Sequence, residues 1–280
     1  MEIKELQSIA AQVRRDIIRM VHGAQSGHPG GSLGCADFMT ALYFEIMNIQ
    51  PDAFTKEGAG EDMFFLSNGH ISPVLYSVMA RRGFFPVAEL ATFRKLHTRL
   101  QGHPTPVEGL PGVRVASGSL GQGVSVAIGA ALAKKANHDA NLVFALTGDG
   151  ELEEGQVWEA FMFAPNNKVD NLIVTIDYNG KQIDGPVDEV NSLGNLRAKL
   201  EAFNWLVLEM NGNDMKSVVM TLNLAKKLSR NGKSIAIIMK TEMGMGVDFM
   251  MGTHKWHGSA PNDEQAAAAL AQLPETLGDY

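Results

Sequence analysis

The sequence predicts an α/β fold in which a central parallel sheet is covered by helices on both faces. Three segments, "NLVFALTG", "NLIVTIDYN" and "SIAIIMKT", contain short continuous apolar runs bounded by turn residues, rather than alternating ones, which is typical of strands buried on both faces. Patterns with helical spacing, at about residues 154–164 and 215–230, separate these runs. Because strand–helix–strand order favours parallel strands joined by right-handed crossovers, we expect a single sheet between two helical layers.

The first part of the chain is predicted to be mainly helical. One apolar stripe recurs at steps of three and four and is formed by Ile3, Leu6, Ile9, Val13, Ile17 and Met20, as in an amphipathic helix. "SGHPGGSLG" interrupts this pattern, and a second helical pattern follows at about 35–47. "DMFFLSNGH" predicts a short strand that runs into a polar turn, and helices are expected at 72–82 and 87–96.

A long loop and two helices complete the predicted elements. Residues 101–118 are rich in Pro and Gly and have no periodicity, and a loop of this length in a compact domain is usually functional. An Ala- and Gly-rich helix is expected at 121–137, and "APNDEQAAAALAQL" predicts a last helix with Asn262 as its N-cap and Gln265 at the third helical position.

Composition limits the class of protein. The 280 residues are 45% hydrophobic and contain no repeat or linker, so we expect one domain over 1–280, with 262–280 as a C-terminal extension. The net charge of −7 argues against non-specific binding to nucleic acid. The only cysteine, Cys35, excludes an internal disulfide and is expected to be a small packing residue in a reducing compartment. With no signal peptide or membrane span in the sequence, we expect a cytoplasmic protein.

Two predicted strands deliver polar groups to their carboxyl ends. "TGDGELEEG" follows the first, where Gly148 and Gly150 permit a tight turn around Asp149. The next strand ends in "IDYNGKQIDG", which contains Asn179. Ligands of open parallel sheets bind beyond the carboxyl ends of the strands, and Asp and Asn oxygens together with a bound phosphate suit Mg²⁺. "GDG" alone is a common turn, so the prediction of a metal–phosphate site depends on the pairing of these two strand ends.

Two further features indicate a polar site. "SGSLGQG" opens the helix at 121–137, where amide N–H groups could face an anion, although it is neither a Gly-x-Gly-x-x-Gly motif nor a Walker A motif. Four histidines lie beside Gly or Pro in predicted loops, without zinc-finger spacing; they are His28, His70, His103 and His257. The other four are expected to be surface or packing residues; they are His22, His97, His138 and His254.

Taken together and in this order, these segments resemble the transketolase family. The motifs that carry the resemblance are "SGHPGGSLG", "LSNGH", "GHP", "GSLGQG", "GDGELEEG", "DNLIVTIDYNGKQIDG" and "WHGSAPN". The resemblance spans nearly the whole chain. It implies the diphosphate-binding (PP-type) domain of a thiamine-diphosphate enzyme, with the cofactor held through Mg²⁺ or Ca²⁺. It also implies transfer of a two-carbon ketol unit between sugar phosphates, in which the cofactor supplies an electron sink.

The resemblance assigns roles to individual residues. The metal ligands would be the side-chain oxygens of Asp149 and Asn179 and the backbone carbonyl of Lys181. The diphosphate contacts would be Gly150, His70 and His257. The backbone around Gly118 and Leu120 would support the aminopyrimidine ring. The donor-sugar channel would be lined by His28, His103 and His257, which would bond hydroxyls and carry protons.

Glutamates beside the "GDG" turn divide into two groups. The resemblance implies that Glu154 links across a subunit interface to the carboxyl group that acts on the aminopyrimidine. Glu151 and Glu153 are expected to be solvated acids at the start of a helix, where negative charge is favourable. Two features depart from the family: Asn166 stands where a histidine is usual, and "EMGMGVDFMMG" has methionines where basic residues are common.

Length is the larger departure. Single-chain transketolases are more than twice as long, and the pyrimidine-binding part and its cofactor-activating glutamate have no counterpart in this sequence. The resemblance therefore implies the N-terminal subunit of a split transketolase, completed by a C-terminal subunit in an α₂β₂ assembly. The chain would handle pentose phosphates, or the apiose-derived or sulfonated sugars of split relatives.

Two alternatives stay open at this point. Another thiamine-diphosphate enzyme, of the 2-oxo acid dehydrogenase or deoxyxylulose-phosphate synthase type, is disfavoured because the histidine set suits polyols better than pyruvate. A non-catalytic cofactor-binding or regulatory subunit is disfavoured because Asp149, Asn179 and Glu154 are intact.

Overall fold

A five-stranded parallel sheet forms the centre of the computed structural model, which describes residues 1–280. In chain order the strands are β1 Met63–Leu66, β2 Val143–Gly148, β3 Leu172–Tyr178, β4 Lys181–Gln182, β5 Gly185–Pro186, β6 Leu206–Asn211 and β7 Ile235–Lys240. The sheet has the order β1-β2-β3-β7-β6, and β4 and β5 form a separate antiparallel hairpin just after β3. The predicted fold class is confirmed.

Helices cover both faces of this sheet. They are α1 Ile3–Ala24, α2 Pro29–Gly34, α3 Ala36–Ala41, α4 Ser72–Arg82, α5 Gln122–Ala136, α6 Gly155–Asn166, α7 Val187–Val190, α8 Leu196–Ala202, α9 Met215–Leu228 and α10 Asp263–Gln272. None of them combines the length and the apolar character that crossing a bilayer requires.

Two hydrophobic clusters lie on opposite faces of the sheet. The larger cluster contains Phe144 and Leu146 of β2 and residues of α1, α3, α4 and α9. The smaller cluster contains Val143 and Ala145 of β2 and residues of α5 and α6. Both sides of the strand are therefore buried, which is why its sequence is apolar at each of the four positions from 143 to 146. Cys35 is buried and unpaired in the larger cluster, as expected.

Most predicted elements are found, and the exceptions have local causes. Residues 87–96 were expected to be a helix, but only a 3₁₀ turn over Val87–Thr92 forms, and Arg94 takes a left-handed conformation with φ of 57°. The helical pattern at 35–47 is α3 followed by a π-helical turn over Leu42–Ile46. The last helix begins at the predicted capping box of Asn262 and Gln265.

Strand β6 was not predicted. It is an edge strand paired only with β7, and its burial is partial, with Glu209 exposed. An edge strand that faces solvent lacks the continuous apolar run by which the inner strands were recognised.

Candidate active site

A cavity of about 260 Å³ opens at the carboxyl ends of β1, β2, β3 and β7. It is lined by every predicted site residue except Glu154, namely His28, His70, His103, Gly118, Leu120, Asp149, Gly150, Asn179, Lys181 and His257. A larger groove of about 530 Å³, between α1 and α10, contains none of them. The sheet topology thus gathers residues from across the chain at one edge, as ligand sites of open parallel sheets require.

Asp149 and Asn179 follow neighbouring strands. Strands β2 and β3 pair in register up to Gly148 and Asp177, so the turns after them lie side by side. The Asp149 carboxylate joins these turns, because Oδ1 accepts from the Gly150 N–H at 2.8 Å and Oδ2 accepts from the Gly180 N–H at 2.6 Å. Asn179 is oriented by its own hydrogen bond, in which Nδ2 donates to Asp177 Oδ2 at 2.9 Å.

The electrostatics of this edge suit a cation. Burial and the neighbouring Asp177 raise the pKa of Asp149 to about 7, and burial raises the pKa of Asp177. Neither carboxylate forms an ion pair with Lys, Arg or His, and buried carboxylates normally need such compensation. No group of three or more His, Cys, Asp or Glu side chains could hold a metal alone, so a bound cation would also need amide, backbone and ligand oxygens.

Four imidazoles form a cluster in the cavity. Ring centroids are 5.1 Å apart for His28 and His70, 5.0 Å for His70 and His257, and 6.3 Å for His28 and His103. His103 lies at the exposed rim. The Nδ1 atoms of His28 and His257 are buried without a hydrogen-bond partner. Such atoms are available to a ligand that carries hydroxyl or phosphate groups.

The cluster is held in its neutral form. Burial is the main cause of the low pKa values of His28 and His70, and repulsion by a protonated His257 is the second. Together they lower the pKa of His28 to about 4 and the pKa of His70 well below its usual value. Burial also lowers the pKa of His103 and of His257. A neutral imidazole has one donor and one acceptor nitrogen, so near pH 7 each ring can exchange a proton with a hydroxyl group.

Close backbone approach shapes the cavity wall. A Cβ atom at Gly69 would lie 2.2 Å from the Ser117 carbonyl oxygen, so the turn after β1 can contact the loop before α5 only if residue 69 is glycine. Three apolar side chains, Leu120, Ile183 and Met243, line this otherwise polar cavity, and Ile183 is 61% exposed. An exposed apolar side chain inside a polar cavity is suited to contact with an apolar part of a ligand.

The prediction that Glu151 is a solvated acid is wrong. Glu151 is only 2% exposed, lines the cavity and accepts hydrogen bonds from the Gly121 N–H and from Thr147 Oγ1, both at 2.7 Å. Its partners lie after β1, at the end of β2 and just before α5, and no local pattern shows that these segments meet. Glu153 is half-buried rather than fully solvated, and it accepts from Gln182 Nε2 at 2.8 Å.

Sequence reasoning also missed some cavity residues. Asn68, Gln182, Ile183 and Met243 line the site without having been selected, and Asn68 Oδ1 is buried with no partner. Asn68 belongs to the "SNGH" motif, so its signal was present in a segment already singled out.

Glu154 and Asn166 lie outside the cavity. Glu154 is exposed at the N-cap of α6, next to Gly121, and its carboxylate makes no hydrogen bond within the chain. Asn166 is exposed at the last position of α6, in a groove with Phe163 and Phe203.

We expect the His28 imidazole to titrate near pH 4 in the folded protein, as its lowered pKa indicates. An unfolded histidine has a pKa of about 6.5, so the unfolded chain binds more protons between these values. Stability is therefore fully present above about pH 6.5 and falls as the pH drops towards 4. Histidine NMR signals recorded against pH would test this, and His28→Asn should lose less stability than wild type over that window. A midpoint near 6.5 for His28 would contradict the burial argument.

The Asp149–Asn179 pair and the histidine cluster lie together beyond the carboxyl ends of the parallel strands. This position defines an α/β ligand-binding domain with an open sheet. Residues 6–275 match the family model described as "Transketolase, thiamine diphosphate binding domain". The chain belongs to the transketolase family.

Relatives of two lengths match the chain. It is 38% identical over 277 residues to an apulose-4-phosphate transketolase subunit from Phocaeicola vulgatus, covering 99% of this chain and 96% of that protein. It is 37% identical over 270 residues to the 6-deoxy-6-sulfo-D-fructose transketolase subunit SqwG of a Clostridium species, covering 96% of each. The crystal structure of Campylobacter jejuni transketolase superposes with a TM-score of 0.89 at 34% identity, covering 98% of this chain but 43% of that one.

Proposed function

We propose that this chain is the N-terminal, diphosphate-binding subunit of a split thiamine-diphosphate-dependent transketolase. The enzyme would transfer a two-carbon ketol unit between sugar phosphates, or between apiose-derived or sulfonated sugars, together with a C-terminal subunit. The observation that carries the proposal is the near full-length match to proteins named as transketolase subunits, combined with one cavity that holds the Asp149–Asn179 pair and the histidine cluster.

Thiamine diphosphate would be held at its diphosphate end through Mg²⁺ or Ca²⁺. The metal ligands would be side-chain oxygens of Asp149 and Asn179 and the backbone carbonyl of Lys181. Two buried carboxylates without a basic partner support a cation at this position. Gly150, His70 and His257 would contact the diphosphate, and the unpartnered Nδ1 of His257 supports that role.

The other end of the cofactor would lie against the loop that precedes α5. The backbone at Gly118 and Leu120 would support the aminopyrimidine, and Glu154 would reach the partner subunit from the rim of the site. When bound, the cofactor supplies the electron sink for carbon–carbon cleavage.

Protons would be handled by imidazoles of this chain. Burial lowers the pKa of His28 and His257, and the pKa of His103 at the rim is also lowered, so near pH 7 each ring is neutral. A neutral ring offers one acceptor nitrogen to a sugar hydroxyl, and these three rings would act as the general acid–base groups. Nδ1 of His28 has no partner within the chain and is free to make such a bond. A set of neutral donor–acceptor rings suits a polyhydroxylated donor.

We expect His28→Ala and His103→Ala to lose turnover while keeping their fold. Neither side chain makes a hydrogen bond that holds the protein together, so the melting temperature should stay within a few degrees of wild type. General acid–base groups typically contribute about 10²–10⁴-fold to rate, and losses in this range are expected in the assembled enzyme. His138→Asn is the control, because His138 is exposed outside the cavity and Asn tolerates its left-handed conformation. Normal turnover in both variants would show that the histidines are structural.

Three further assignments belong to the same proposal. The assembly would be an α₂β₂ heterotetramer, and its location would be the cytoplasm. Residues 1–280 would act as one PP-type domain, with 262–280 as a C-terminal extension. An ion pair of 2.6 Å between Arg15 on α1 and Asp279 in this extension supports the assignment to one domain.

A further inference from the structure

The carboxylate of Glu151 receives four hydrogen bonds from three separate segments. Oε1 accepts from Ser67 Oγ at 2.5 Å and from the Gly121 N–H at 2.7 Å. Oε2 accepts from Thr147 Oγ1 at 2.7 Å and from the Gly148 N–H at 3.1 Å. Both oxygens are thus saturated by donors of this chain, so Glu151 is not free to bind a ligand although it lines the cavity.

The three segments carry different parts of the site. Ser67 follows β1, Gly148 ends β2 next to Asp149, and Gly121 is the N-cap of α5. Gly121 has a left-handed conformation with φ of 82°, and no side chain of its own caps the helix. Glu151 supplies that cap and places negative charge at the start of α5, where the helix dipole favours an anion. The "SGSLGQG" segment therefore has an internal anion at the place where a phosphate could otherwise bind.

We propose that Glu151 is a positioning residue that fixes the loop at 117–121 relative to the turn at 149–150. This inference rests on the proposed function, in which the loop supports the aminopyrimidine and the turn holds the diphosphate. The two ends of thiamine diphosphate must meet both supports at once, so the spacing between the supports determines the affinity for the whole cofactor. A ligand that consists of the diphosphate alone needs only the turn.

This role differs measurably from a general stabilising role. Loss of general stability would weaken all ligands of the folded protein together or lower the melting temperature alone. Loss of spacing weakens thiamine diphosphate selectively, since the Asp149 carboxylate keeps its own bonds to Gly150 and Gly180.

The test is Glu151→Gln in the full chain assembled with its partner subunit. Whichever way the new amide lies, the N–H of Gly121 or of Gly148 faces the amide nitrogen and loses its acceptor. We expect the affinity for thiamine diphosphate, measured by calorimetry with Mg²⁺, to fall about tenfold or more. The affinity for inorganic diphosphate with Mg²⁺ should change less than about threefold.

Two further variants sharpen the result. Glu153→Gln is the matched control, because Glu153 bonds only Gln182, and it should bind both ligands as wild type does. If Glu151→Gln does not fold, Ser67→Ala removes one donor to the same carboxylate without leaving an N–H unpaired. It should show the same selective weakening in smaller measure.

The outcomes separate this inference from the proposed function. Equal loss of both ligands, or loss of neither, in a wild type that binds thiamine diphosphate would overturn the positioning role alone. A wild type that does not bind thiamine diphosphate would overturn the proposed function and, with it, this inference.

Discussion

Replacing Asp149 with alanine is expected to abolish retention of thiamine diphosphate by the assembled enzyme. Asp149 is the carboxylate that joins the turns after β2 and β3, and it would be the only charged ligand that this chain supplies to the proposed metal. Mutation of a residue that only hydrogen-bonds to a metal-ligating side chain typically lowers the metal affinity about 10–100-fold. Loss of the ligand itself should cost more, and without the metal the negative charge of the diphosphate would have no cation beside it.

The measurement is titration of thiamine diphosphate with and without Mg²⁺. Wild type should bind only with the metal, and Asp149→Ala should bind weakly and without metal dependence. Asp188→Ala, which removes an exposed carboxylate after the β4–β5 hairpin, should behave as wild type. Circular dichroism should show the Asp149 variant folded, because removal of one of two adjacent buried carboxylates relieves repulsion. Unchanged, metal-dependent affinity in Asp149→Ala would refute the metal assignment.

The three inner strands of the sheet could be predicted because the sequence of each one is enough to identify it. Strands β2, β3 and β7 are buried on both faces, so each contains a run of mainly apolar residues without alternation. The edge strand β6 carries a mixed pattern that also suits a loop, and only its pairing with β7 defines it.

The candidate site could be predicted only in the part that follows from the topology of the sheet. Asp149 and Asn179 could be paired because parallel strands end at one edge, which follows from topology. The histidines could be selected as a set, but their spacing of 5.0 Å to 6.3 Å depends on how four loops pack. Glu151 was misassigned because its partners are Ser67, Gly121 and Thr147, and only the folded chain brings them together.

The chain by itself is expected to be inactive and to gain activity only with a partner subunit. It spans 43% of the Campylobacter jejuni transketolase chain, and under the proposed function a separate subunit supplies the rest of the active site. The exposed carboxylate of Glu154 has no hydrogen-bond partner within this chain. Apolar side chains are exposed on the same side, with Val126 of α5 42% exposed and Met162 of α6 58% exposed. Under the proposed function, we expect this side of the molecule, which also carries Glu154, to meet the partner subunit.

The test begins with the purified chain, thiamine diphosphate and Mg²⁺ in a ketol-transfer assay, and is repeated after addition of the candidate C-terminal subunit. We expect no turnover in the first assay. In the second assay we expect turnover, and light scattering should give a mass that matches α₂β₂. A permanent interface of this kind often buries more than about 2,000 Å². Robust activity of the chain alone would contradict the split-enzyme proposal, and a bound partner without activity would contradict the assignment of sugar substrates.

A charge placed on the exposed apolar surface identifies the side of the molecule that the partner covers. Met162→Asp should leave the isolated chain folded, because the side chain is already largely in water, but a buried and unpaired charge at an interface is costly. Assembly and activity should therefore fall together. Met220→Asp is the matched control, since Met220 is 62% exposed on α9, which packs against the opposite face of the sheet. If Met220→Asp alone prevents assembly, the partner binds the α9 side, and Glu154 then cannot reach it across the interface.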